Sequence, residues 1–251
     1  MKLILLIYIM IKSLSIIFPV YNEELRLKSS FNHIRSFLKK KKKFKTEIIF
    51  ADDGSQDNSY NLIIQFIKSF KSNKKIKIKA VKLKRNLGKG GALKLGVKSA
   101  KHDWILTSDI DMSVSLFQFT NWINQKLVNE KFFVYFGSRE HEKSIVKKKK
   151  FRNILGNIMR LLISTILNIK MKDTQCGYKL YKKRIGKWIF SKLKTFDFNH
   201  DLEIILLLKA KKIKIKELPV KWIHKNNSSL NIFLDPIKML VGIFLLKFRN
   251  F

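Results

Sequence analysis

Two aspartates separated by a single residue, Asp109 and Asp111, are the side chains of this sequence best suited to chemistry. Paired carboxylates at the mouth of a sheet can ligate a hard divalent cation, Mg2+ or Mn2+, together with substrate oxygens. Such an ion would neutralise a diphosphate leaving group. A D-x-D is a common pattern, and exposed acids in a turn are its plain alternative. Scarcity favours function: 251 residues hold 18 acidic side chains against 53 Lys and Arg, for a net charge of +35. Two further groups stand out. Asp52-Asp53-Gly54-Ser55 can accept hydrogen bonds from a nucleoside base or ribose, although Ser55 or Asp57 can equally cap the next helix. Asn86–Gly91 (NLGKGG) is a glycine-rich loop whose amides and Lys89 can hold phosphate oxygens at a helix start. It lacks P-loop spacing.

The elements needed to position these groups are legible as alternating patterns. Apolar, β-branched runs at Ser15–Val20, Glu47–Asp52, Lys77–Leu83, Trp104–Ser108 and Phe132–Gly137 read as buried strands. Helical spacing fills the intervals, at Glu24 to about Lys40, Asp57–Phe70 and Gly91–Ala100. Continuous apolar strands alternating with helices predict an α/β fold with a mostly parallel sheet flanked by helices. Ligands of such sheets lie beyond the carboxyl ends of the strands. The residues just past those ends are Tyr21-Asn22-Glu23, Asp52–Ser55, Lys84-Arg85-Asn86, Asp109–Asp111 and Ser138-Arg139, all polar or turn-forming. Core packing does not account for that coincidence. Further on come a long apolar helix over Phe151–Ile169, a helix around Asp201–Ala210, a strand over Ile213–Val220 and a final segment from Ile232.

Composition bounds the rest. One domain with a C-terminal extension is expected at this length. The single Cys176 excludes an intramolecular disulfide framework, and no Cys/His spacing resembles a zinc site. The basic excess has two readings: attraction to polyanions such as a membrane or phosphorylated substrates, or A/T-rich codons that enrich Lys, Asn, Ile and Phe together. Met1–Ile11 is apolar but too short to span a bilayer, which needs about 20 residues. It reads as a membrane-touching segment, an extension of the first strand, or a product of a misassigned start. Asp235–Phe251 carries an apolar band beside Lys238, Lys247 and Arg249, suited to a helix lying in a membrane interface. Phe151–Ile169 can join it, although each is also compatible with a core helix. No nucleic-acid module accompanies the basic runs, so a nucleic-acid partner is not expected.

Taken in order, FPVYNE (Phe18–Glu23), ADDGS (Ala51–Ser55), NLGKGGAL (Asn86–Leu93), SDID (Ser108–Asp111) and GSR (Gly137–Arg139) resemble the family-2 glycosyltransferases of the GT-A fold. DTQCGYKLY (Asp173–Tyr181) and DLEI (Asp201–Ile204) are similar to the branch that makes polyprenyl-phosphate sugars, dolichyl-phosphate β-glucosyltransferases above all. The resemblance implies a transferase domain over 13–222 and a membrane-associated segment over 223–251. It implies an inverting transfer of a hexose, glucose first, from a UDP-sugar to polyprenyl or dolichyl phosphate at the cytoplasmic face of a membrane. Pro19, Tyr21 and Glu23 would line the nucleotide pocket, with Asp53 and Asp52 on the uridine and Lys89 near the diphosphate. Asp109 would contact ribose or metal, and Asp111 the metal. Arg139 would lie near the phosphates and Gln175 near sugar or acceptor, while Asp201 would orient the sugar or act as base toward an alcohol. Arg139, Arg152 and the Lys147–Lys150 run are candidates to hold an acceptor phosphate. Two departures, Phe198-Asn199-His200 and Asn227-Ser228-Ser229, leave the sugar and acceptor open. GDP-mannose as donor or a glycan hydroxyl as acceptor are the enzymatic alternatives, and a non-catalytic basic membrane- or RNA-binding protein is the alternative of another class.

Overall fold

The computed structural model describes residues 11–40, 44–71, 73–129, 131–147, 152–225 and 234–251. The chain runs β1 (Ser13–Val20), α1 (Glu24–Lys39), β2 (Lys45–Asp52), α2 (Ser59–Lys68), β3 (Ile76–Lys82), α3 (Lys89–Ser99) and β4 (Trp104–Thr107). It continues α4 (Phe117–Asn124), β5 (Val134–Ser138), β6 (Ile145–Lys147), α5 (Arg152–Leu167), β7 (Lys179–Lys182) and α6 (Lys183–Lys192). The last elements are α7 (His200–Ala210), β8 (Ile215–Pro219), β9 (Lys221–Ile223) and α8 (Leu234–Lys247).

Among the described residues, one sheet has seven strands in the order β3-β2-β1-β4-β7-β5-β8, and β6 pairs with β9 in a second. Neighbours are parallel except β7, which runs antiparallel to both β4 and β5. The order reverses direction at β1, which lies between β2 and β4, so a crevice opens past the carboxyl ends of β1 and β4. Tyr21 follows one of these strands and Asp109 the other. Sequence patterning locates the parallel strands and most helices. It does not show α4, the short β6 and β9, or the strand β7 and helix α6 that follow the DTQCG segment.

Successive residues of each central strand face opposite layers, which explains the unbroken apolar runs. Ile16, Phe18, Ile48 and Phe50 pack with Phe31 and Ile34 of α1, Phe66 of α2 and Trp122 of α4. Ile17, Ile49 and Ala51 pack on the other side with Val97 of α3, Phe190 of α6 and Leu202 of α7. Met239, Ile243 and Leu246 of α8 belong to this second layer, as do Met159 and Ile163 of α5. Each fully buried side chain of this kind stabilises the fold by about 1.5–3 kcal/mol. At the start of the chain, Ile11 is buried, and the Lys12 carbonyl accepts from the Lys45 amide at 2.9 Å, extending the β1–β2 ladder. Residues 1–10, on which the readings of Met1–Ile11 mostly fall, lie outside the described residues. Among the described residues no helix is long and apolar enough to cross a membrane.

Candidate active site

Two loops are zipped together at the end of β1. Asn22, at φ 51°, accepts the Gln56 amide on its Oδ1 at 2.9 Å, while its own amide donates to Ser55 Oγ at 3.1 Å. The Glu23 amide donates to Ser59 Oγ at 2.7 Å. This leaves Tyr21 at the surface, 40% exposed. The Glu23 carboxylate receives Arg26 Nη1 on both oxygens at 2.9 Å. Burial raises its pKa against the pull of Arg26, helped by the nearby charges of Asp111 and Asp109.

The second strand end has a structural task of its own. Both Asp52 and Asp53 are buried. Asp53 accepts the Leu87 amide on Oδ1 at 2.9 Å and the Gly88 amide on Oδ2 at 2.8 Å. Asp52 accepts the Ser55 amide at 3.0 Å. In this structure the pair therefore shapes the turn and the glycine-rich loop, and the second Asp52 oxygen, Oδ2, is buried without a hydrogen-bond partner. Gly54 (φ 73°) is required between them, because a Cβ there would stand 2.7 Å from the Arg85 carbonyl carbon.

From that loop Lys89 reaches Asp109, Nζ to Oδ1 at 2.5 Å, with the two side chains 34% and 40% exposed. Burial opposes both charges, yet Asp109 and then Asp201 hold the Lys89 pKa up, and Lys89 holds Asp109 down. Asp109 lies against the backbone of Gly177, where any Cβ would meet its Oδ2 at 2.5 Å. Met112, at φ 57°, turns the chain so that the Ser113 amide and hydroxyl both donate to Asp111 at 2.8 Å. Among the described residues no group of three or more His, Cys, Asp or Glu is arranged to hold a metal ion. Two partly exposed carboxylates nonetheless suit Mg2+ or Mn2+, ions that keep few protein ligands and take the rest from phosphate and water. Lys89 now supplies Asp109 with the positive charge that such an ion would bring.

Across Asp109 lies a cavity lined by Ser113, Arg139, Gln175, Tyr178 and Trp222 among others. Arg139 is clamped by Asp173, which takes its backbone amide and Nε on Oδ2 at 2.8 Å each and its Nη2 on Oδ1 at 2.7 Å. Burial opposes the charge, but Asp173 outweighs it and keeps the guanidinium firmly protonated. The Gln175 amide donates to Asp173 Oδ1 at 3.3 Å, and its Nε2 lies 3.4 Å from Met239 Sδ on α8. Burial pushes the Cys176 thiol up to about 12, so it is an inert part of the wall. Trp222 is fixed beside the Asp111 loop by a bridge to Val114, and the neighbouring Ile223 amide donates to the Ser113 carbonyl at 2.9 Å.

Asp201 sits behind this surface. Its Oδ1 receives Lys179 Nζ at 2.5 Å and lies 3.2 Å from His200 Nε2, with every partner almost fully buried. Burial alone would raise its pKa, but the charges of His200 and Lys179 hold it well below the usual carboxylate range. The roles expected of Asp201, orienting the sugar or acting as base toward an alcohol, thus fall on a carboxylate that is paired with Lys179 and His200 in this structure. Lys179 is absent from the sequence-derived site, as are Asp173 and Trp222. The residues expected at the nucleotide end thus come together, with Asp53 and Asp52 facing inward, and Arg139 and Gln175 meet across Asp109. The side chains of Arg152 and Lys147, and residues 148–151, lie outside the described residues.

This is the fold of nucleotide-sugar transferases. The chain superposes on glucosyl-3-phosphoglycerate synthase of Mycobacterium tuberculosis, solved with Mn2+, UDP and glucosyl-3-phosphoglycerate, at a TM-score of 0.69 and 14% identity, covering 94% of this chain and 80% of that one. A family profile described as Glycosyl transferase family 2 matches residues 15–188, and the chain belongs to that family. It is a glycosyltransferase. It is 35% identical over 245 residues to the dolichyl-phosphate β-glucosyltransferase of Dictyostelium discoideum, spanning 94% of this chain and 74% of the relative. It is 29% identical to the human enzyme of the same name, over 95% of this chain and 76% of that one.

Proposed function

We propose that this glycosyltransferase moves a hexose, glucose first, from a UDP-sugar to dolichyl or another polyprenyl phosphate at the cytoplasmic face of a membrane. The observation that carries the acceptor class is the state of Asp201. An alcohol acceptor needs a proton acceptor within hydrogen-bond reach, and a carboxylate locked to Lys179 and His200 is a poor one. A lipid phosphate is already anionic and needs only to be positioned. The relatives' names point the same way.

Asp109 and Asp111 would hold Mg2+ or Mn2+, whose charge stabilises the departing diphosphate. Lys89, released from Asp109, adds a second positive charge on the nucleotide side. Tyr21 would flank the crevice past β1, with Pro19 near the end of that strand. Arg139, held rigid by Asp173, and Gln175 face the cavity where sugar and acceptor phosphate would meet. Fixed dipoles and charges of this kind act without reorganising during the reaction.

The lipid reaches that cavity along α8. Ile237, Val241, Phe244 and Leu245 on this helix and Phe248 just past its end are all more than half exposed, and Leu161 of α5 is 64% exposed. The 14 residues of α8 rise about 21 Å, short of the roughly 30 Å hydrocarbon core, so the helix would lie in the interface. Lys238 and Lys247 supply charge for anionic headgroups.

The decisive assay incubates the protein with UDP-glucose, UDP-galactose or GDP-mannose, Mg2+ and polyprenyl phosphate in vesicles. A lipid-linked hexose from UDP-glucose is expected. Product from GDP-mannose alone would replace the donor, and no lipid-linked product from any donor would refute the reading.

A further inference from the structure

We infer that Arg249, just beyond α8, is a positioning residue for the glycine-rich loop at the start of α3. The inference rests on reading that loop as the cradle of the donor diphosphate. The first turn of α3 has no side-chain cap. On the side away from Asp53, its shape is set by the segment between α6 and α7. The Gly90 amide donates to the Phe196 carbonyl at 2.8 Å. A Cβ on Gly88 would stand 2.5 Å from that carbonyl oxygen, and one on Gly90 would stand 2.9 Å from Phe196 Cα. One turn on, Lys94 Nζ donates to the Leu193 carbonyl at 2.7 Å. Moving residues 193–196 therefore moves the loop from which Lys89 reaches Asp109.

That segment is neither helix nor strand, so something else must hold it. Glu203, nearly fully buried, accepts the Lys194 amide at 3.1 Å and the Thr195 amide at 2.6 Å. A buried carboxylate requires a counter-charge. Arg249 Nη1 supplies it at 3.1 Å from Glu203 Oε2 and donates to Thr195 Oγ1 at 3.1 Å. A second contact lies nearby: Gly242 of α8 sits against the buried Asn199 side chain so closely that a Cβ would fall 2.0 Å from Asn199 Nδ2. The helix with the apolar outer face thus braces, on its inner side, the strip of chain that shapes the donor loop. Arg249 touches no reacting atom and acts through Glu203, Thr195 and Phe196.

Calorimetric titration of the full chain with UDP and Mn2+ tests this. Arg249→Ala should weaken UDP binding about tenfold, with Arg249→Lys recovering most of it. In turnover, the donor KM should rise while kcat and the acceptor KM hold. Thr195→Val, which leaves the Glu203 charge paired, should weaken UDP binding about threefold with an unchanged melting temperature. A folded Arg249→Ala protein with wild-type UDP affinity overturns the inference. So does the same affinity joined to lost binding of phosphatidylserine vesicles, which would make Arg249 a headgroup contact. If Arg249→Ala does not fold, Thr195→Val decides by the same titration. If the wild-type chain itself binds no UDP, the donor reading fails. The brace is then judged by amide exchange at Gly88–Gly91, faster in Arg249→Ala if it exists and unchanged if it does not.

Discussion

Two aspartate–lysine pairs in this molecule share the same 2.5 Å separation and have opposite meanings. Lys89–Asp109 lies at the mouth of the crevice, each partner a third or more exposed, while Lys179–Asp201 is sealed beneath it. An exposed pair contributes little to stability, on the order of 0–1 kcal/mol, and its partners can be exchanged. A buried pair has lost its water and cannot let go of either charge without cost. On the function proposed above, the open pair trades its lysine for a metal ion and a diphosphate. The closed pair is a fixed charge distribution behind the reacting groups.

The largest expected effect sharpens the open side. Asp111→Ala should lower metal-dependent turnover about a thousandfold, since Lewis-acid stabilisation of a leaving group is worth several kcal/mol. Its melting temperature should stay near wild type, and a matching loss of stability would mean Asp111 is structural. Next comes the closed pair. Lys179→Met should destabilise the fold by about 3–5 kcal/mol in urea unfolding, because it strands the Asp201 carboxylate. Adding Asp201→Asn should recover much of that loss; if the double variant is no more stable than the single one, the pairing is not what holds this region. The smallest effect is the direct counterpart. Lys89→Met should change unfolding stability by less than about 1 kcal/mol, yet weaken UDP binding about tenfold through the lost charge-assisted contact. Equal stability losses for Lys89→Met and Lys179→Met would erase the distinction between the pairs.

The same contrast explains what the amino-acid sequence discloses. Asp109 and Asp111 are visible because acids are rare in this chain and because a buried strand with a clear apolar run precedes them. Lys179 is hidden for the mirror-image reason: one lysine among 53 basic residues carries no signal, and it lies in a short strand whose neighbours Gly177 and Tyr178 show no alternation. Strand β7 also runs against its neighbours, and direction is a property of the assembled sheet that local pattern does not encode. Asp52 and Asp53 are visible as a pair, but that the Asp53 oxygens meet the Leu87 and Gly88 amides depends on a loop more than thirty residues away. Resemblance identifies Gln175; its contact with Met239 joins segments 64 positions apart.

The close seat of Gly242 on Asn199 has a further consequence. If a bilayer steadies α8 from outside, it steadies the donor loop through the Arg249 brace, and linkage requires the bound donor to tighten the grip on the bilayer by the same factor. A sugar nucleotide held by the enzyme away from lipid has only water to attack it. Weak donor affinity off the membrane is then a safeguard against futile hydrolysis, set by how closely two helices can approach where one of them has no side chain.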